Sequence, residues 1–107
     1  MKGPRVVVIG GGAAGLMAAG RAAEKGARVV LVEKNQTLGA KLLLSGKGRC
    51  NLTSAEEDLD TFLSAFGPKG KFLYSAFSRF GPAETLEFFS SRGLRTKVER
   101  GKRVFPE

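Results

Sequence analysis

The stretch VVVIGGGAAG, residues 6–15, leaves a chain few folds to choose from. Gly10, Gly12 and Gly15 stand in a G-x-G-x-x-G spacing, with a β-branched run before them and an alanine-rich run after them. The spacing alone is common, and its context gives it meaning. Arg5 to Ile9 (RVVVI) reads as a short strand buried on both faces. Ala13 to Lys25 has the alanine, leucine and methionine content of a helix, and Gly26 sits where a helix-ending glycine belongs. Arg28 to Val32 (RVVLV) reads as a second buried strand that ends at Glu33, with seventeen residues between Gly15 and Glu33. A strand, helix and strand of this length put the two strands parallel, joined by a right-handed crossover.

Each glycine of such a motif has a task. Gly10 allows the tight turn, Gly12 lets a pyrophosphate approach the backbone, and Gly15 lets the helix lie close on the strand. The N–H groups around Gly12, Ala13 and Ala14 and the helix dipole suit phosphate oxygens. Glu33 can accept hydrogen bonds from ribose hydroxyls, and its charge repels a 2′-phosphate. A dinucleotide with an unphosphorylated adenosine ribose, FAD or NAD, follows as the expectation. The plainer reading is a glycine turn without a ligand and Glu33 as an exposed strand end.

The remaining residues divide by packing style. No Phe, Tyr or Trp occurs before Phe62, and all eight Phe lie between Phe62 and Phe105. Residues 1–53 are therefore read as the βαβ and a cofactor loop, 54–94 as a helical segment, and 95–107 as the start of a β region. Ser54 with Glu57 has capping-box spacing ahead of Leu59, Phe62, Leu63 and Phe66, which recur at helical intervals. A second helix is expected over Phe72, Leu73, Ala76, Phe77 and Phe80. A third starts at Pro82 and runs through Leu86 and Phe89 to Gly93. Arg95 to Glu99 and Arg103 to Phe105 should pair as a hairpin. A doubly wound sheet needs more parallel strands than the two found, so the expectation is a partial Rossmann-type α/β domain, the amino-terminal part of a longer chain that completes its fold.

Composition narrows the chemistry. With 107 residues, 42% hydrophobic and 26% charged, the chain is of ordinary globular make-up. It has one cysteine and no histidine, which excludes an internal disulfide and a histidine-dependent triad, and no spacing supplies metal ligands. A reducing cytoplasm fits. The apolar run from Val6 to Gly20 behind Lys2 and Arg5 mimics a signal peptide, but four glycines break it and it is too short to span a bilayer. The formal charge of +8 admits a nucleic-acid partner, yet the basic residues are scattered and the aromatics show no RNA-binding signature, so a small anionic ligand ranks first.

The segments VIGGGAAGLMAA, VVLVEKN, LGAKLLLSGKGRCNLT and GKRVFP together resemble the amino-terminal part of a bacterial flavoprotein family, the aminoacetone-oxidase-family or bile-acid-reductase-like NAD(P)/FAD-dependent oxidoreductases. The likeness covers nearly the whole chain, and Ser45 to Asn51 followed by Thr53 is its most specific part. The resemblance implies an FAD-binding Rossmann-type domain, with Ala14 at the pyrophosphate, Glu33 at the ribose, and Ala40, Lys41 and Gly46 against the same cofactor. Ala40 stands where the family often has arginine, so only its backbone can serve. Lys34, beside Glu33, and Ser45, heading the specific segment, complete the candidate contacts. NAD(P)H as electron donor and a small-molecule substrate are implied in the same way.

Read from its residues, the same segment is a second anion-facing loop. Lys41 and Arg49 supply positive charge for phosphates or a reduced flavin, and Gly46 and Gly48 let backbone approach a flat ring. Lys47 reads as solvated. Flavin-linked disulfide reductases need two cysteines, so Cys50 is read as a small residue beside the cofactor, with an Arg49-stabilised thiolate as the other option. No residue is assigned as a catalytic acid or base. Hydride transfer through flavin is the leading function. An NAD-dependent dehydrogenase is the first alternative, and a basic nucleic-acid-binding module or a remnant that folds without cofactor are others. The 107 residues by themselves are expected to bind FAD weakly or not at all.

Overall fold

RVVVI forms strand β1 (Arg5–Ile9) and RVVLV forms β2 (Arg28–Val32), paired in parallel from Arg5 beside Arg28 to Ile9 beside Val32. Between them runs helix α1 (Ala13–Glu24). The helix stops because Gly26, at φ +92°, turns left-handed. Its N–H then reaches the Ala23 carbonyl at 2.9 Å, and the Ala27 N–H reaches that of Ala22 at 3.0 Å, the doubled bond pattern of a Schellman ending. The computed structural model describes residues 2–107 and resolves them into two units, the first ending at Gly48 and the second spanning Arg49–Glu107.

The first unit corrects one expectation. Its strands are covered on one face only. Val6, Val8, Val29 and Leu31 are half-buried, whereas Val7, Ile9, Val30 and Val32 are 48–85% exposed. The physical reason is the number of layers, because α1 packs on these two strands from one side and the other side has no second layer in this unit. After β2 the chain forms a short helix, α2 (Ala40–Leu44), where an open loop was expected. Left-handed Gly46 and Lys47 follow it.

In the second unit, strands β3 (Thr53–Ser54), β4 (Thr96–Glu99) and β5 (Arg103–Pro106) form an antiparallel sheet in the order β3-β5-β4. The expected hairpin is β4 and β5. Strand β3 had no sequence signal. Three helices lie between β3 and β4: α3 (Leu59–Ser64), α4 (Tyr74–Arg79) and α5 (Pro82–Ser90). Ser54 does not cap α3, because it pairs with Arg103 in the sheet and its backbone is extended. Asp58 does so instead, accepting from the Thr61 N–H at 2.9 Å and the Thr61 hydroxyl at 2.6 Å. The expected second helix begins two residues late, at Tyr74, because Gly67, Pro68 and Gly70 hold Gly67–Leu73 in a 3-10 turn. Pro82 opens α5 as expected, with Glu84 accepting from the Gly81 N–H at 2.7 Å. Leu63, Val104 and Phe105 are buried, and Phe62 packs edge-on against Phe66 and Phe77 at ring distances of 5.5 and 4.9 Å.

An ion cluster ties the start of this unit to its hairpin. The Arg49 guanidinium donates to both Glu99 carboxylate oxygens, at 3.1 and 2.5 Å, and lies 4.1 Å from the centre of the Phe105 ring. Lys97 adds a 3.3 Å contact to Glu99. Arg49 first, then Lys97, hold the Glu99 carboxyl at about 2, below its ordinary 4.5. A carboxyl lowered on folding stabilises above its unfolded value and loses that contribution as pH falls towards the folded one. Glu99→Gln is therefore expected to melt below wild type at pH 7, with the gap closing between pH 4.5 and about 2. Melting curves across that range check this, and a gap independent of pH would refute it.

Candidate dinucleotide-binding site

The site is built where β1 hands over to α1. Gly10 takes φ +103°, which turns the chain sharply, and its N–H still bonds the Val32 carbonyl at 2.8 Å. Gly12 precedes the helix in an extended conformation. No side chain caps α1 and no acidic residue occupies its first turn, so the N–H groups of Ala13, Ala14 and Gly15 lack the usual local acceptors. A Cβ built on Gly12 would meet nothing within 4 Å, which leaves room for a ligand beside the backbone. A Cβ on Gly15 would instead collide with the Gly10 carbonyl oxygen and touch Val8, so only glycine lets the helix start this close to the strand.

Glu33 stands at the end of β2 and reaches back to this turn. One carboxylate oxygen accepts from the Gly11 N–H at 2.8 Å, the other from the Asn35 N–H at 2.7 Å. The Gly11 bond, then the Asn35 bond, with the Lys34 charge adding to them, lower the Glu33 carboxyl below its ordinary range and keep it ionised at neutral pH. The Gly39 N–H closes the other side of the turn on the Gly11 carbonyl at 2.7 Å.

These elements enclose a cavity of about 350 Å³ lined by Gly11, Gly12, Ala13, Glu33, Asn35, Thr37, Ala40, Lys41, Leu42 and Ser45. Of the residues singled out in the sequence, Gly12, Ala13, Glu33, Ala40, Lys41 and Ser45 line it directly. Gly10, Ala14 and Gly15 form its turn and helix start. Lys34 is exposed beside Glu33 and outside the lining, and Gly46 contributes only its left-handed turn. Arg49 belongs to the second unit, its charge met by Glu99. Cys50 is half-buried at φ +60°.

Gly11, Asn35, Thr37 and Leu42 were not anticipated. Gly11 is the middle glycine of GGG, and Asn35 closes VVLVEKN, but nothing in the sequence marks their N–H groups as the partners of Glu33. With Glu33 and Lys41 both present, the cavity offers one negative and one positive side chain, together with unshared N–H groups at a helix start, to a ligand bearing hydroxyls and phosphates. Among the described residues no cluster of side chains could hold a metal ion. No helix among them is long and apolar enough to cross a membrane.

Comparison with known proteins agrees with this architecture. Residues 4–107 match a family described as the HI0933-like protein Rossmann domain. The chain is 41% identical over 104 residues to the 3-dehydro-bile acid delta(4,6)-reductase of Clostridium scindens, covering 95% of this chain and 24% of that protein. It is 33% identical over 88 residues to the ribosomal RNA dihydrouridine synthase of Escherichia coli, covering 82% of this chain and 21% of that one. A shorter match, 58% over 41 residues, joins it to the thiamine thiazole synthase of Aeropyrum pernix, covering 38% of this chain and 15% of that one. The chain thus spans about a quarter or less of the length of these relatives. A βαβ with its glycine turn and acidic strand end, matched along all but its first residues, makes this chain a member of the HI0933-like Rossmann domain family.

Proposed function

We propose that the cavity of the first unit holds the adenosine and pyrophosphate end of FAD and that the protein is an FAD-dependent oxidoreductase. The observation that carries this reading is the Glu33 carboxylate. It is fixed by the Gly11 and Asn35 N–H groups in the same cavity as the uncapped start of α1.

The residues present fit the group. Phosphate oxygens take the N–H groups from Ala13 onward, and the open space beside Gly12 admits them. Each Glu33 oxygen keeps a lone pair for a ribose hydroxyl, while its negative charge disfavours a 2′-phosphate. Lys41 lines the same cavity and offsets the negative charge of the pyrophosphate. FAD is preferred to NAD because the Ser45–Asn51 segment resembles flavoproteins, and the similarity to a protein named a reductase supports redox chemistry. Once bound, the flavin ring supplies hydride transfer, and this chain's part is to bind and orient the cofactor. We take a small molecule as the substrate class and NAD(P)H as the electron donor.

A visible spectrum of the full-length protein, with the extracted cofactor weighed by mass spectrometry, tests the reading. FAD is expected in the wild type. Glu33→Ala is expected to bind FAD about tenfold or more weakly, since one charge-assisted hydrogen bond is worth about 1.5–3 kcal/mol. A colourless protein that FAD cannot reconstitute, or unchanged affinity in Glu33→Ala, would sink it.

A further inference from the structure

Half of the cavity wall in the first unit is strung on either side of one glycine. Asn35 and Thr37 come shortly before Gly39, and Ala40, Lys41 and Leu42 follow it directly. Gly39 is itself buried and outside the lining. Its backbone is held at both ends. The N–H donates to the Gly11 carbonyl at 2.7 Å, which fastens it to the glycine turn, and its own carbonyl accepts from the Leu43 N–H at 3.1 Å, which closes the first turn of α2. Between these two bonds the residue takes φ +68° and ψ +26°, in the left-handed region, where a residue with a Cβ is strained. A Cβ built there would stand 3.5 Å from Leu16 and 3.7 Å from Leu42, ordinary contact distances. The backbone angle, rather than lack of room, is what calls for glycine.

We propose that Gly39 is a positioning residue for Lys41: its left-handed turn, locked on Gly11, sets the course of α2 so that the Lys41 charge lines the cavity. The inference rests on the reading of that cavity as the pyrophosphate site. Helix α2 has five residues, too few to be stable by itself, so its direction comes from how its start is fastened. Without a left-handed residue at this place the chain cannot both donate to Gly11 and open α2 as it does. One of the two bonds is lost, and the lysine two positions along is displaced. The N–H of Gly11 also holds the Glu33 carboxylate. The cation and the anion of the cavity are thereby set from one residue, and their spacing stays fixed.

Titration of the full-length apoprotein with FAD, followed by flavin fluorescence at low and at high salt, tests it. Gly39→Ala is expected to bind FAD about tenfold more weakly at low salt. Salt should also weaken its binding less than that of the wild type, because the charge that salt screens is no longer in place. Lys41→Gln should lose a similar factor and the same part of the salt dependence. The double variant should be little weaker than either single one, whereas independent roles would multiply the two losses. Gly39→Asn enters the left-handed region with less strain. It should keep more affinity than Gly39→Ala, and it carries the test if the alanine variant fails to fold. Equal affinities of wild type and Gly39→Ala, multiplied losses in the double variant, or an unchanged salt dependence would each overturn the proposal while the wild type still binds FAD. A wild type that takes up no FAD would overturn the cofactor reading and this inference with it.

Discussion

Gly15→Val is expected to lower FAD affinity about 100-fold while Gly20→Ala, five residues along the same helix, leaves it unchanged and raises stability. At Gly15 the added carbon runs into the Gly10 carbonyl oxygen, and a branched side chain also meets Val8. Either α1 moves away from β1 or the Gly10 turn opens. Both displace the N–H groups proposed to face the phosphates, and overpacking of this kind costs about 1–3 kcal/mol, the upper end of which is about a factor of 100 in affinity. At Gly20 an added carbon meets nothing within 4 Å. Alanine there removes only the entropic cost of glycine in a helix, a gain of about 0.5–1 kcal/mol. Titration with FAD and thermal melts on both variants separate the effects. Equal affinities for FAD would mean that the close start of α1 has no part in binding.

The second large effect is expected at Val104, which is fully buried in the central strand of the second unit's sheet. Its carbonyl accepts from the Leu52 N–H at 2.8 Å, and its side chain has no solvent exposure. Val104→Ala removes two methyl groups and leaves a cavity, costing about 2 kcal/mol, which is about 10 °C in the melting temperature of a domain this size. Calorimetry resolves it. A shift below about 2 °C would show that the core closes elsewhere.

Much of the first unit was legible because its signals are local. A β-branched run, a glycine turn and Gly26 bound each element, and β1 and β2 match the expected limits. The exposed sheet face was not legible, since an apolar run reads the same whether one or two layers cover it. In the second unit, Asp58 displaced Ser54 as cap because Ser54 is drawn into a sheet with Arg103, 49 positions away, a pairing that no local pattern encodes. The site divides in the same way. Glu33 is visible from its spacing, but Gly11 and Asn35 as its partners depend on how two loops fold back, and Glu99 as the partner of Arg49 lies fifty residues along the chain. Leu42 and Thr37 have no sequence signal at all.

Val7, Ile9, Val30 and Val32 form an exposed aliphatic face on a 107-residue chain with a formal charge of +8. In concentrated solution these two features oppose each other. Like charge keeps neighbouring molecules apart over roughly 10 Å at 0.1 M salt and over about 3 Å at 1 M, whereas attraction between aliphatic planes acts at contact and does not fade with added ions. For these 107 residues by themselves, dispersion is thus governed by ionic strength: dilute electrolyte keeps copies apart, and strong electrolyte lets the aliphatic faces meet.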